Sequence, residues 1–390
     1  MILRAIHTGS KTGEWNVRFS RLAWPAAIVF CGVLPVLALL LLFAGTIEDD
    51  AVAFDFRPIH AAAEAVLDGE NPYPAAGDSL DAAAGPFVYP PPIALVAIPL
   101  TALSFDAAGL LVMAVLALAA LAIPFVLGVR DWRCYGLVFL WPPVLSAVQT
   151  GNVTLVLALG AALAWRFRDS LGVSSTSVGV TLAAKFFLWP LVFWLAATRR
   201  LLAAALTCVV GAGVLLLSWA AIGFDGLSGY ASLLRRLQDT VGEDSYTAHV
   251  AALDAGAPEF LARALWLTLG LGLLAAVVLA GRRGDERRAF ILAIAAAIAL
   301  SPIVWLHYFA LLVVVVAVAQ PRLGIAWFVP LAMVVTPGSG HPTPFETAAT
   351  LAIAAVTIGL ALRASQGGAG AVELGEQPEP LPTGARAHAT

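Results

Sequence analysis

Apolar residues run through this chain in long blocks separated by short polar turns. The first block covers 22–45. Others follow at about 91–104, 107–128, 134–148, 152–166, 177–197, 201–222, 261–281, 289–305, 307–319, 323–336 and 345–363. A helix rising about 1.5 Å per residue needs roughly 20 residues to cross a hydrocarbon core of about 30 Å. The pattern therefore predicts an all-α polytopic membrane protein with about twelve transmembrane helices. Several blocks are shorter than that, and Pro142, Pro143 and Pro190 interrupt them. Such helices tolerate proline where neighbours or a cavity satisfy the freed backbone groups. No internal repeat points to a transporter built from two homologous halves.

Composition agrees with the pattern. Hydrophobic residues make up 60% of the 390 and charged residues 12%, with a mean hydropathy of +0.89. A soluble domain of this size has no way to hide so much apolar surface. The net charge of −3 provides no basic stripe for nucleic acid. Cys31, Cys134 and Cys208 sit in apolar stretches without metal-ligand spacing and read as small core residues.

Charge placement sets the orientation. The segment 1–21 is basic and reads as cytoplasmic, and the acidic Glu48, Asp49 and Asp50 follow the first block. That block is longer than a signal-peptide core and has no cleavage site after it. The loop 46–90 holds nine acidic residues against the single Arg57, an extracytoplasmic signature. Arg199, Arg200, Arg282, Arg283, Arg287, Arg288, Arg322 and Arg363 fall on cytoplasmic turns when twelve helices are threaded from a cytoplasmic N terminus. Arg130, Arg133, Arg166 and Arg168 fit that threading poorly. The transmembrane domain thus spans 22–363, followed by a Gly-, Ala- and Pro-rich tail, 364–390, expected to be disordered and cytoplasmic.

Four places carry candidate chemistry. In the first loop, Ile59, Ala62, Ala63, Val66 and Leu67 recur at helical spacing opposite a stripe of Arg57, His60, Glu64 and Asp68. With Pro58 in the first turn and Gly69 as a stop, this is an amphipathic helix lying at the membrane surface. Asp55 precedes it, either as a helix cap or as a functional carboxylate held ionised by the helix's positive end. His60 and Glu64 could ligate a metal by spacing but have no third ligand in view, and read rather as a solvated helix pair. Tyr73 in Asn71-Pro-Tyr-Pro74 and Tyr89 in Phe87-Val-Tyr-Pro-Pro-Pro92 are either a stiffened aromatic belt or one wall of a pocket.

Lys185 lies inside an apolar block, and an ionisable residue there is by default a functional candidate. It either snorkels to the interface or binds an anion, above all a phosphate. His307, beside Trp305 and Tyr308, is either an interfacial histidine or a donor to a phosphate or sugar. Gln149-Thr-Gly-Asn152 breaks two apolar segments, as a turn or as a polar patch in a cavity.

Taken together these residues are familiar. An Asp opening an amphipathic helix, then AVLDGENPY, FVYPPPIALVAIPLTALSF, QTGNVTLVLALGAALA, GVTLAAKFFLWPL and LSPIVWLHY, in that order over about 50–310, resemble glycosyltransferase family 87, polytopic transferases of the GT-C type. His60 departs from the pattern, where an aromatic is more usual. The resemblance implies a GT-C-like bundle in the plasma membrane that moves a hexose, usually mannose, from a polyprenyl-phosphate carrier to a lipid or glycan acceptor outside the cytoplasm. Some relatives transfer arabinofuranose.

On that reading Asp55 is the general base of an inverting displacement, with Asp49 and Asp50 as fallbacks. Lys185, His307 and then Arg57 bind the donor phosphate, and Tyr73, Tyr89, Asn152 and Trp305 line the substrate cavity. No metal or other cofactor is called for. A transporter or flippase of lipid-linked sugars is the alternative, using the same cavity and the same lysine. A structural membrane partner without catalysis is the third.

Overall fold

A computed structural model describes residues 24–48, 52–75, 77–80, 85–336 and 342–372, and all regular structure among them is helical. The first apolar block forms α1 (Trp24–Ile47). The loop after it carries a 3-10 turn (Phe54–Phe56) and the expected amphipathic helix α2 (Arg57–Leu67), with Pro58 in its first turn and Gly69 left-handed beyond its end. The chain continues as α3 (Pro91–Ala97), a 3-10 extension (Ile98–Ala102) and α4 (Phe105–Val126). Two short helices follow, α5 (Trp132–Val138) and α6 (Pro142–Thr150), the second bent by 118° against α7 (Thr154–Arg166).

The block expected at 177–197 divides at Lys185 into α8 (Leu171–Ala184) and α9 (Pro190–Ala197). Next come α10 (Leu201–Ala221), α11 (Leu227–Val241), α12 (Ala248–Asp254), α13 (Glu259–Arg282) and α14 (Glu286–Leu300). A 3-10 turn (Leu306–Leu311) leads into α15 (Leu312–Ala319). Two more (Ile325–Trp327 and Val329–Val335) precede α16 (Pro344–Val372), which runs past the boundary expected for a disordered tail. Asp49 and Asp50 lie outside the described residues.

Among the described residues five helices, α1, α4, α10, α13 and α16, are long and apolar enough to cross a membrane, or six with the bent pair α6–α7 taken as one. That is fewer than the twelve blocks suggest, because the other blocks fold as shorter helices. The prolines explain part of the difference: Pro142 and Pro190 sit in the first turns of α6 and α9 rather than inside longer helices. The long helices face outward, with Leu202, Val209, Leu216 and Leu217 of α10 all more than 60% exposed. In contrast, Ala289–Ile298 of α14 and Leu312–Ala319 of α15 are buried throughout and form the central pillar.

Small residues set the closest approaches. α8 and α10 run side by side in the same direction: Ser175 Oγ donates to the Ala203 carbonyl at 3.1 Å. One turn on, a Cβ at Gly179 would lie 2.9 Å from the Thr207 carbonyl oxygen.

Polar contacts gather the turns at one end of the bundle. There Glu286 accepts from Arg168 Nε (3.1 Å) and Arg200 Nη1 (2.9 Å), and Arg200 Nη2 also donates to Asp169 at 2.7 Å. These residues tie the turns α7–α8, α9–α10 and α13–α14 together. At the same end Asp131, after α4, accepts from Arg133 Nη2 (2.7 Å) and from the Leu323 backbone N–H (3.3 Å), beyond α15. Arg130, Arg133, Arg166 and Arg168 therefore join the other arginines.

Their poor fit to the sequence threading has a structural reason in segment 91–104. Both α3 and its 3-10 extension pack against α2, and α4 sets out from the same end, with Phe105 stacked on Phe56 at 6.3 Å. The segment returns to the end it started from.

Glu286 is the one acidic group shared by both arginines, so Glu286→Ala should lower the apparent Tm of the purified protein in detergent, an effect of about 1–3 kcal/mol. Asp169→Ala, at a side chain 77% exposed, should cost less than about 1 kcal/mol. Equal losses in the two variants would show that the shared contact does not fasten these turns.

Candidate active site

The site is built where two left-handed turns press against each other. Ala53, fully buried, has φ 45° and ψ 54° and turns the chain into the Phe54–Phe56 helix. Gly151 closes α6 with φ 72°. A Cβ at Gly151 would lie 2.8 Å from the Ala53 Cβ and 3.0 Å from the Phe56 Cβ, so the glycine is required by both conformation and space. The contact brings Asn152 to Asp55. Asn152 Nδ2 donates to Asp55 Oδ2 at 2.9 Å. The amide cannot turn round, because Asn152 Oδ1 already accepts from the Thr154 N–H (3.0 Å) and hydroxyl (2.7 Å).

Asp55 is therefore not a helix cap. The cap position of α2 is Phe56, with no side-chain hydrogen bond. The carboxylate instead faces Asn152 and His307, its side chain 20% exposed.

His307 approaches from the 3-10 turn before α15, and its Nδ1 lies 3.8 Å from Asp55 Oδ2. That is too long for a hydrogen bond, so the two groups are close neighbours without a direct bond. The buried ring stacks on Tyr308 at 5.0 Å, with Trp305 beside it at 5.8 Å. Its Nε2 has no hydrogen-bond partner among the described residues. Over the Tyr308 ring also stands Lys185, at the end of α8, where the backbone turns extended (φ −156°, ψ 118°). Its ammonium sits 4.2 Å from the Tyr308 ring centroid and 5.2 Å from that of Tyr89, a cation held between two π faces. None of the ion pairs among the described residues includes it. Burial pushes the Tyr89 phenol well above its ordinary pKa, with the Asp55 carboxylate adding, so it stays a hydroxyl.

Lys185, Tyr89, Tyr308 and Trp305 open on a cavity of about 420 Å³. Its remaining walls are largely apolar, among them Leu182, Leu215, Leu234 and Leu237. Asp55 and His307 lie behind this lining rather than in it, and so does Asn152, which was expected to line the cavity.

Two expected residues stand elsewhere. Tyr73 does not line the cavity; it packs behind the wall, stacked on Trp219 at 5.3 Å, and its hydroxyl donates to the Tyr89 carbonyl at 3.1 Å. Arg57 is not near Lys185. It is exposed, lies over the Phe105 ring at 4.9 Å and lines a separate shallow groove with His60 and Glu64. His60, placed by spacing on the polar stripe, is buried between Phe56 and Phe105, because α4 covers that side of α2. Its Nδ1 is 3.5 Å from Glu64.

The sequence reading missed α11. Its Tyr230, Leu234 and Leu237 form a cavity wall, and the Tyr230 hydroxyl donates to the Val88 carbonyl at 3.0 Å. The signal was there in the 3–4-residue spacing of Leu227, Tyr230, Leu233, Leu237 and Val241, hidden inside a long polar loop.

A carboxylate, a histidine and an unpaired ammonium thus converge beside an apolar cavity in a multi-pass membrane protein. No curated protein and no solved structure matches the chain. The model of glycosyltransferase family 87 does, over residues 87–306. That match takes in more than half of the 390 residues, including Tyr89, Asn152, Lys185 and Trp305, and the chain belongs to this family of membrane glycosyltransferases.

Proposed function

We propose that this glycosyltransferase draws a hexose, mannose in the first instance, from a polyprenyl-phosphate donor and passes it to a lipid or glycan hydroxyl on the extracytoplasmic face of the plasma membrane. The observation that carries the reading is the pairing of a held carboxylate with a nearby ammonium that has no acidic partner. Asp55 is oriented by Asn152, and Lys185 reaches it through the stacked rings of His307 and Tyr308.

In the proposed reaction Asp55 takes the proton from the acceptor hydroxyl as its oxygen attacks the anomeric carbon. The bond from that carbon to the phosphate oxygen breaks, and polyprenyl phosphate leaves with the electron pair. Base and leaving group on opposite faces of the sugar give inversion. The charge gathering on the leaving phosphate favours a nearby cation, which is the role of Lys185, and a donor, which is the role of His307 Nε2. The apolar cavity beside Lys185 suits the prenyl chain, which reaches it laterally from the bilayer. Arg57 has no part in this scheme.

Topology fits the same reading. The turns that carry Arg168, Arg200 and Glu286 gather at the end of the bundle opposite Asp55. Every arginine-rich turn then lies on the cytoplasmic side and the site on the other.

Asp55→Asn should lower the transfer rate from polyprenyl-phosphate-mannose by about 10²–10⁴-fold with expression unchanged; near-normal turnover would remove Asp55 as the base. Asn152→Ala leaves the carboxylate in place but frees its orientation, so a loss of about 10–100-fold is expected in kcat, with donor KM nearly constant. Lys185→Met should act mainly through the donor, lowering kcat/KM by about 10²–10³-fold, with partial rescue by Lys185→Arg. These rates are read from release of polyprenyl phosphate alongside the new glycoside. Movement of the intact donor without bond cleavage would instead favour a transporter.

A further inference from the structure

At the opposite end of the bundle from Asp55, α9 and α13 meet at very close range. A Cβ at Gly281 would lie 2.6 Å from the Ala197 Cβ, so the helices touch through their small residues. Beside this contact lies a groove of about 610 Å³, lined by Phe193, Ala197, Leu201 and Val278, with Arg199 and Arg282 at its polar end. Phe193 and Leu201 are 40% and 66% exposed, on the outer surface of the bundle.

Neither arginine belongs to any ion pair among the described residues, whereas Arg168 and Arg200 close by share Glu286. Arg199 is also one of only three non-glycine residues with positive φ among those described, at 65°. That strained conformation is fixed on its C-terminal side by the locked Arg200. The fold thus holds a guanidinium at the mouth of an apolar groove and provides no carboxylate to answer it.

We propose that this groove is a binding site for an anionic phospholipid of the cytoplasmic leaflet, its phosphate between Arg199 and Arg282 and an acyl chain along Phe193 and Val278. Charge complementarity selects the occupant: two unpaired guanidiniums above an aliphatic cleft match a phosphodiester carried on hydrocarbon. The groove on the other side of α13 also carries arginines, Arg283 and Arg288, but includes Asp285 and so lacks this excess of charge.

The test is native mass spectrometry of the full chain, with phosphatidylglycerol titrated against phosphatidylcholine, together with the apparent Tm at each ratio. The wild type should retain phosphatidylglycerol in preference and gain Tm with it. The double variant Arg199→Gln/Arg282→Gln should bind it roughly 10- to 30-fold more weakly. Val278→Trp, which fills the cleft and leaves both charges, should show a comparable loss. Arg287→Gln, an exposed arginine at the same end, should behave as wild type. Retention unchanged in the double variant overturns the proposal, as does an equal loss in Arg287→Gln, which would mean diffuse surface charge. Equal protection by inorganic phosphate alone would also overturn it, since the cleft would then contribute nothing. None of these readouts involves sugar transfer, so they stand apart from the assignment of Asp55.

Discussion

The hydrogen bond from Asn152 to Asp55 depends on a backbone contact that allows almost no variation. Ala53 and Gly151 both adopt left-handed conformations, and each turn fills the space the other leaves. Ala53 has a side chain and accepts that conformation at a cost of about 1 kcal/mol or more. The surrounding helices must supply that energy, and Gly109 of α4 helps by letting Ala53 approach: a Cβ there would come within 3.2 Å of the Ala53 Cβ. The carboxylate is thereby placed by the packing of α4 and α6 rather than by its own loop. A loop residue positioned in this way keeps the reach of a loop and acquires the precision of the core.

From that contact the aromatic layer follows. His307 stacks on Tyr308, Tyr308 meets Phe187 edge-on at 4.9 Å, and Lys185 rests on Tyr308 and Tyr89. Tyr89 is in turn held by the hydroxyl of Tyr73, and Tyr73 by Trp219 and Tyr230. Burial pushes the Tyr73 and Tyr230 phenols above their ordinary pKa, so both remain donors to backbone carbonyls at neutral pH. The first loop, α10 and α11 are fastened through these rings. Tyr73 therefore matters to the cavity as the support of its wall.

Much of this was legible from the sequence, for identifiable reasons. The helical class, the amphipathic α2 and the importance of Lys185 rest on local signals: apolar blocks, a 3.6-residue stripe, and a charge in hydrocarbon. What failed depended on non-local packing. His60 was assigned to the solvent side because spacing shows only that one face of α2 is polar, not that α4 lies across it. Arg57 stands two residues from Asp55 in sequence, but it lies over Phe105 in an outer groove while Asp55 faces Asn152 and His307. The fold of segment 91–104 back on itself was equally hidden, since hydropathy records burial in lipid or protein and not direction.

The distribution of charge connects the two ends. In a chain with 12% charged residues, most of the ion pairs stand away from the site, in the turns and the exposed loops. Paired charges hold turns together, and their fields cancel within a few ångströms. Lys185 is treated differently: its neighbours are π faces, which favour the cation by about 1–2 kcal/mol without neutralising it. A carboxylate in place of Tyr308 would stabilise the lysine more strongly and compete with any phosphate for it. Aromatic support keeps the ammonium ordered and its charge available, which is what a site that must receive and then release an anion requires.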